Sequence, residues 1–329
     1  MKAKLWLVPA LLLVSAFAQA QETLKVGFIR VMDDAQVMVA KEAGLYEKHG
    51  LNVELVEFSS GTDLIKAIVG GQLDTGVLGF TNAVSWASRG ADLKVVGGAQ
   101  RGYHSILVRE ETGIETVADL KGKTLASQRE GSTADAVLRG VTLKGVDLKP
   151  SDLNIMGVSP AVAVQSLVSG RADAAFLFEP YDRIAQLVAP VKQIYEIGEV
   201  WPFPCMVVIT SGETLEKRKD VIWSSLDAQR DAIEMLENEP AKAAELIADY
   251  FIAEPTLKTL NRGELPREKV IEEAISTQDF DASLSEQDIS RIQELADIMR
   301  DQGSLKTRDG GAFDTSKILD LSWQQAREL

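Results

Sequence analysis

The sequence predicts an α/β protein made of two similar, Rossmann-like lobes. Two crossing strands join the lobes, and a helical extension follows at the C-terminus. The main observation is a repeated pattern: a polar turn, an amphipathic segment, a glycine and an aspartate lead into a short apolar run. A chain of 329 residues is also long enough for two lobes. The copies lie 99 residues apart without a gap, as three residue pairs show: Ser60 and Ser159, Gly71 and Gly170, Asp74 and Asp173.

Each copy of the pattern predicts a helix followed by a buried parallel strand. The glycine favours a left-handed helix end, and the apolar run after the aspartate is too short for another helix. In open α/β sheets, ligands bind at the carboxyl ends of the strands, beside helix N-termini. Two facing lobes would therefore form a cleft there. The apolar positions of the two predicted helices are Leu64, Ala67 and Ile68, and Val164, Leu167 and Val168.

The first twenty residues are typical of a secretory signal peptide. Lys2 and Lys4 give a basic start, residues 5–17 are mainly apolar, and Ala18-Gln19-Ala20 fits a cleavage site. An uncleaved anchor is the alternative, although the apolar run is short for a membrane span. No cysteine follows the run directly, so we expect export to a periplasm without a lipid anchor.

Charge and cysteine content exclude several classes of function. The formal net charge of −14 argues against nucleic acid or an anionic membrane as a partner. Cys205 is the single cysteine, so no internal disulfide is possible, and we expect it to be a small buried residue. The sequence contains no recognisable zinc, EF-hand, P-loop or nucleophile-elbow motif, and we predict neither metal, cofactor nor catalytic residues.

The first lobe is predicted to span residues 21–106 and 206–329, with its C-terminal helices. A first strand at 24–29 leads through a polar loop into an amphipathic helix at 35–47. Thr62 is a suitable N-cap for the helix of the first repeat copy. Later elements are strands at 53–58, 76–80 and 93–97, a helix at 81–88 and a crossing strand at 105–108.

The second lobe is predicted to span residues 107–205. Its strands are expected at 124–126, 153–158, 176–178 and 193–197, and the return crossing at 202–210. After the strand at 124–126, Ser132 or Thr133 would cap a helix, with Asp135 placed as in a capping box. Gly131 would let a ligand approach the free amides of that helix, which favours an anion. Further helices are predicted at 215–236, 240–251, 267–276 and 285–301.

These motifs together resemble the periplasmic substrate-binding proteins of ABC importers, in the nitrate, sulfonate, taurine and thiamine-pyrimidine group. The resemblance covers most of residues 21–260, and it lies in the order and spacing of short motifs. It implies the type II periplasmic binding fold, closure of two lobes on a small ligand, and delivery to an inner-membrane permease with its ATPase. We expect a monomer. The motifs are residues 43–54, Ser60-Gly61, Gly71-x-x-Asp74, residues 119–123, Gly131-Ser132-Thr133, Gly170-x-x-Asp173 and Glu179-Pro180-Tyr181.

Polar and aromatic residues at the predicted strand ends and crossings are candidates for ligand contact. Helix N-termini favour a small organic anion such as a sulfonate, taurine or nitrate. Glu179 would instead suit an amine, so a thiamine pyrimidine precursor is the alternative ligand. A deaminase or dehydratase of the same fold, and a sensor role, are further alternatives. The candidates are Arg30, Asp33, Thr62, Thr81, Asn82, Arg101, Tyr103, Glu130, Ser132, Thr133, Ser159, Glu179, Tyr181 and Trp201.

Overall fold

The computed structural model describes residues 22–307 and 310–329. The predicted signal peptide at 1–20 lies outside these ranges and stays a prediction. Within the described ranges, we find no helix with the length and apolar character that crossing a membrane requires.

The chain forms thirteen strands and fourteen α-helices in the described ranges. The strands are β1 (Glu22–Ile29), β2 (Leu51–Phe58), β3 (Thr75–Gly79), β4 (Lys94–Arg101), β5 (Ser105–Arg109), β6 (Thr124–Ser127), β7 (Asn154–Gly157), β8 (Ala174–Leu177), β9 (Val191–Glu196), β10 (Pro204–Thr210), β11 (Thr256–Lys258), β12 (Glu264–Pro266) and β13 (Asp279–Phe280). The helices are α1 (Ala35–Glu42), α2 (Leu45–Lys48), α3 (Gly61–Val69), α4 (Phe80–Ala87), α5 (Thr133–Val137), α6 (Pro160–Val168), α7 (Tyr181–Val188), α8 (Ile197–Val200), α9 (Gly212–Lys217), α10 (Lys219–Asn238), α11 (Pro240–Phe251), α12 (Arg267–Ile275), α13 (Glu286–Asp301) and α14 (Ser322–Ala326).

The two large sheets share one topology, which confirms the predicted fold class. The first sheet has the order β2-β1-β3-β10-β4, with β13 added at the β4 edge, and the second has the order β7-β6-β8-β5-β9. In each sheet one strand, β10 or β5, runs antiparallel to both of its neighbours. These two strands follow the chain's two crossings between the sheets, so each lobe receives its incoming strand at the equivalent position.

The repeated glycine and aspartate have the same structural role in both lobes. Gly71 and Gly170 end their helices with φ of 68° and 74°, which is the left-handed region that favours glycine. Asp74 then accepts a hydrogen bond from the backbone N–H of Lys25 at 2.8 Å, and Asp173 accepts one from Thr124 at 2.9 Å. Each carboxylate thus fixes its strand to the neighbouring parallel strand, which explains why the repeat needs an acid at this point.

The two crossings between the lobes pack against each other. The backbone N–H of Gly102 donates to the carbonyl of Phe203 at 2.7 Å. A Cβ at Gly102 would lie 2.2 Å from the Phe203 ring, so only glycine allows this approach. The ring of His104 lies 5.4 Å from that of Phe176 and 6.5 Å from that of Phe203. Aromatic packing therefore links the crossings to the second lobe.

The C-terminal helices pack back onto the first lobe. Trp323 of α14 is fully buried and donates through Nε1 to Asp227 of α10 at 3.1 Å. A capping box begins α13: Ser285 accepts from the Asp288 N–H at 3.2 Å, and Asp288 accepts from the Ser285 N–H at 2.9 Å.

The structure corrects three local predictions. The predicted helix at 35–47 is two helices, α1 and α2, because Gly44 between them is in the left-handed region (φ 68°). Ser60, not Thr62, is the N-cap of α3, because its backbone is extended (φ −155°, ψ 148°) while the helix already includes Gly61. The predicted helix at 215–236 is two helices, α9 and α10, because Arg218 adopts a non-helical conformation between them (φ −134°, ψ 35°). Arg218 instead donates to Asp74 and to the carbonyl of Thr23, at 2.5 and 2.6 Å.

Candidate functional site

A cavity of about 690 Å³ lies between the two lobes, at the carboxyl ends of strands from both sheets. Its volume is in the usual range for small-molecule sites. The lining combines hydroxyl and amide groups with apolar side chains. It consists of Ile29, Val31, Asp33, Ser59, Ser60, Gly61, Thr62, Gly79, Asn82, His104, Gln128, Arg129, Glu130, Gly131, Ser132, Thr133, Ala134, Val158, Ser159, Pro160, Phe178, Cys205 and Met206.

Two helices of the first lobe begin at the cavity. In α3, the Ser60 hydroxyl accepts from the Asp63 N–H at 3.3 Å, which leaves the first-turn amides of Gly61 and Thr62 without an intrahelical acceptor. In α4, glycine occupies the N-cap, and Asn82 lies in the first turn. The Asn82 amide packs against Gly61, where an added Cβ would lie 3.0 Å from its Nδ2. Both helices thus present N–H groups and polar side chains to one space.

Two helices of the second lobe begin at the same cavity. In α5, the Ser132 hydroxyl accepts from the Asp135 N–H at 3.1 Å. Asp135 accepts from the Gly131 N–H at 3.0 Å, one residue before the N-cap, so the predicted capping box is shifted by one position. In α6, Ser159 is the N-cap, but its side chain makes no cap hydrogen bond, and it is exposed. Its hydroxyl therefore remains available to a ligand.

The lobes touch each other beside the cavity. The hydroxyls of Thr81 in α4 and Thr133 in α5 form a buried hydrogen bond of 2.7 Å. A Cβ at Gly79 would lie 2.7 Å from the Thr133 hydroxyl, so the first lobe needs a glycine there. These contacts fix the separation of the helix N-termini that face each other across the cavity.

Three buried groups that can titrate line the deep part of the cavity. Burial raises the pKa of Asp33 to about 7, and Asp182 adds to this increase by charge repulsion. Burial lowers the pKa of His104 to about 4, so its imidazole is neutral at physiological pH. Burial raises the pKa of the Cys205 thiol well above its ordinary value, and the carboxylates of Asp33 and Asp34 reinforce the effect. The thiol is therefore protonated and a poor nucleophile.

Seven of the fourteen predicted contact residues line the cavity, and seven do not. The first group contains the residues at helix N-termini and the acid after β1. The second group contains residues of the crossings, residues at the end of β8, the exposed Arg30, and Thr81 of α4. The lining residues are Asp33, Thr62, Asn82, Glu130, Ser132, Thr133 and Ser159, and the others are Arg30, Thr81, Arg101, Tyr103, Glu179, Tyr181 and Trp201.

The two arginines predicted at the cavity pair with acids elsewhere. Arg101 contacts Asp279, Asp281 and Asp288, which β13, the following loop and α13 supply. Arg30 forms an exposed ion pair with Glu57 of β2. The cavity therefore lacks both arginines that were predicted beside it, and the exposed Arg129 is the one Lys or Arg side chain in its described lining.

The remaining predicted residues have structural partners. Thr277 donates to the fully buried Glu179 at 2.8 Å, and burial raises the pKa of that carboxyl. Tyr103 donates to Gln193 at 3.2 Å. The Tyr181 ring packs edge-on against Phe178 at 5.6 Å, and Trp201 lies between Phe203 and the Arg291 guanidinium. Thr81 reaches the site indirectly, through its bond to Thr133.

Several residues that line the cavity were not among the predicted ligand contacts. Gln128 and Arg129 precede Glu130 in the same loop, so the glycine-containing motif of that loop was a usable signal. His104 and Met206 lie in the crossings, where the sequence shows no pattern that separates packing from ligand contact. Within the described residues, no group of three or more His, Cys, Asp or Glu side chains could hold a metal ion.

We predict that Thr133→Val weakens ligand binding by about fivefold, because losing the bond to Thr81 removes about 1 kcal/mol from the contact between the lobes. Thr142→Val is the matched control, since Thr142 is also buried but bonds to Tyr195 within the second lobe. Calorimetric titration of both variants checks this. Equal affinities in Thr133→Val and the wild type would contradict it.

Comparison with known proteins agrees with this architecture. The chain is 29% identical over 217 residues to a putative binding protein of Brucella abortus. The match covers 65% of this chain and 66% of the Brucella protein, so it spans just under two thirds of that protein's length. It is 33% identical over 190 residues to a putative aliphatic sulfonates-binding protein of Escherichia coli, covering 55% of this chain and 58% of that one.

The fold is shared with a solved structure. The crystal structure of the periplasmic aliphatic sulphonate binding protein from Escherichia coli matches with a TM-score of 0.77, covering 94% of this chain and 99% of that chain at 23% identity. The NMT1-like family matches residues 18–250, which is most of the chain. The chain has two lobes of one topology around a shared cavity, and the match over most of its length shows that it belongs to the NMT1-like family.

Proposed function

We propose that this protein is the periplasmic solute-binding component of an ABC importer, which captures a small organic acid between its lobes and delivers it to a membrane permease. The observation that carries the proposal is the convergence of four helix N-termini, two from each described lobe, on one cavity. Each such terminus stabilises an anion by about 0.3–1 kcal/mol. A ligand held from both sides would favour the closed arrangement of the lobes.

The head group that best fits this cavity is a sulfonate. Its three oxygens accept hydrogen bonds. The first-turn amides of α3 and α5 offer donors, and the Ser159 hydroxyl offers another at the start of α6, where Pro160 has no N–H. The apolar part of the lining, including Val158, Phe178 and Met206, would contact an aliphatic chain. The names of the relatives as sulfonate-binding proteins support the same ligand class.

An enzymatic function is less well supported by the chemistry of the cavity. The raised pKa of the Cys205 thiol opposes nucleophilic catalysis, and His104 stays neutral. The two relatives described above are named as binding proteins.

Calorimetric titration tests the proposal with ethanesulfonate, butanesulfonate, nitrate and an aminopyrimidine on one protein preparation. We expect the sulfonates to bind, and we expect nitrate to bind more weakly because it is too small to reach the apolar lining. Asn82→Ala should weaken sulfonate binding, and Asn154→Ala, on exposed β7, is the control. Binding of the aminopyrimidine alone would contradict the anion proposal and favour a thiamine pyrimidine precursor.

A further inference from the structure

A buried acid of the second lobe contacts the first lobe outside the cavity. Glu179 follows β8, is fully buried, and its Oε1 lies 2.8 Å from the Thr277 hydroxyl. Thr277 belongs to the first lobe, because β13, which begins two residues later, pairs with β4 of the first sheet. Neither residue is part of the described cavity lining. The contact therefore joins the two lobes without contributing to the surface that a ligand would touch.

The hydrogen bonds around Thr277 favour a protonated Glu179. The Thr277 hydroxyl also lies 2.9 Å from the carbonyl of Ala274 in α12. A hydroxyl has one proton to donate, and both neighbouring oxygens are acceptors as long as Glu179 is ionised. Both bonds therefore form together only when the Glu179 carboxyl carries a proton and donates it to the hydroxyl. The other oxygen of Glu179, Oε2, has no partner among the described residues, which makes a negative charge there more costly.

The charged groups of α7 beside Glu179 act in the same direction. Burial raises the pKa of Glu179 well above its ordinary value of 4.5, and repulsion by Asp182 adds to the increase, which Arg183 only partly offsets. Asp182 accepts from the Ser105 hydroxyl at 3.2 Å and from the Arg183 backbone N–H at 2.8 Å. These donors stabilise a negative charge on Asp182 rather than on Glu179.

The other elements at this contact supply no compensating cation. Burial and the charges of Asp182 and Glu179 raise the pKa of Tyr103 in the first crossing, so its phenol stays neutral. Glu273 of α12 is an acid that pairs with Arg262. The contact between the lobes is therefore made most favourably with a neutral Glu179.

We propose that closure of the two lobes takes up a proton at Glu179, so that acidity favours the closed arrangement. When the lobes separate, Thr277 moves away and water reaches the carboxyl, which then ionises near its ordinary pKa of 4.5. Above that pH the closed arrangement binds more protons than the open one, so closure becomes less favourable as the pH rises through the raised pKa. The inference rests on the lobe closure of the proposed function and holds for any ligand that closure encloses.

Calorimetric titration with butanesulfonate between about pH 5 and about pH 9 measures this linkage, because the sulfonate keeps its charge throughout. Asp33 lines the cavity with a pKa of about 7 and adds its own pH dependence, so wild type is compared with Glu179→Gln. Glutamine has the shape of the protonated acid and can donate to Thr277. We expect the variant to lose less affinity than wild type as the pH rises, by up to about tenfold per pH unit. Glu245→Gln is the control, because Glu245 is exposed on α11.

A second variant removes the partner of the acid. Thr277→Val should weaken butanesulfonate binding by about fivefold at about pH 5, because the bond to Glu179 forms only between closed lobes. Wild-type pH dependence in Glu179→Gln, or wild-type affinity in Thr277→Val, would overturn the inference and leave the proposed function standing.

Scattering by the ligand-free protein separates the inference from the proposed function. If no sulfonate binds, the proposed function fails, and small-angle X-ray scattering at about pH 8 decides the inference. A smaller radius of gyration in Glu179→Gln than in wild type would support proton-linked closure, and equal radii would overturn it.

Discussion

Arg101→Met should lower the free energy of unfolding by about 3–5 kcal/mol, because it leaves several carboxylates without their shared cation. The Arg101 side chain is 22% exposed and donates to Asp288 at 3.1 and 2.9 Å and to Asp281 at 2.7 Å. Asp288 is only 4% exposed, so water cannot replace the lost partner. Denaturant unfolding followed by circular dichroism measures the change.

The stability lost in Arg101→Met should depend on pH in a defined direction. Burial alone would raise the pKa of Asp288, but the hydrogen bonds from Arg101 and Ser285 outweigh it and hold the pKa below its ordinary value of 3.8. Its stabilising effect is therefore present above that pH and is lost as the pH falls through the folded-state pKa. The difference between wild type and variant should narrow as the pH falls below 3.8. Arg300→Met, which breaks exposed ion pairs, is the control, and an equal effect of the two substitutions would contradict this account.

Gly79→Ala should weaken ligand binding by about fivefold to about 150-fold, since overpacking costs about 1–3 kcal/mol. The new Cβ would lie 2.7 Å from the Thr133 hydroxyl of the opposite lobe. Gly79 has φ of −59° and ψ of 130°, which alanine adopts easily, so the strain comes from the contact between the lobes and not from the backbone. Calorimetric titration gives the affinity, and small-angle X-ray scattering should show a larger radius of gyration for the variant.

The control for this substitution is Gly145→Ala. A Cβ at Gly145 would meet nothing within 4 Å, and it lies on the surface of the second lobe away from the cavity. It should leave both affinity and size unchanged. Wild-type affinity in Gly79→Ala would show that the separation of the lobes at this point does not matter for binding.

Much of the fold could be predicted because its signals are local. The glycine and aspartate of each repeat copy act within one strand–helix–strand unit, so their spacing is visible in the sequence. The helices after residue 240 follow from apolar spacing and from caps such as Ser285. The break at Arg218 was not predictable, because it depends on contacts with Asp74 and Thr23, more than a hundred residues earlier.

The candidate site likewise has residues that could be predicted from the sequence and residues that could not. Residues at helix N-termini, such as Thr62 and Ser132, could be placed at the cavity because a strand end followed by a cap marks its rim. Charged residues could not be placed, because their partners are distant in sequence. Arg101 binds Asp288, which lies 187 residues later, and the burial that makes Asp33 unusual has no local pattern.

A crystal structure of the protein grown with taurine would test the central claim most directly. We expect electron density for the ligand between the N-termini of α3 and α5, with its acidic group at the helix ends and contacts to both lobes. Density on one lobe alone, or at a site outside this cavity, would contradict the claim that the two lobes bind a small acid between them.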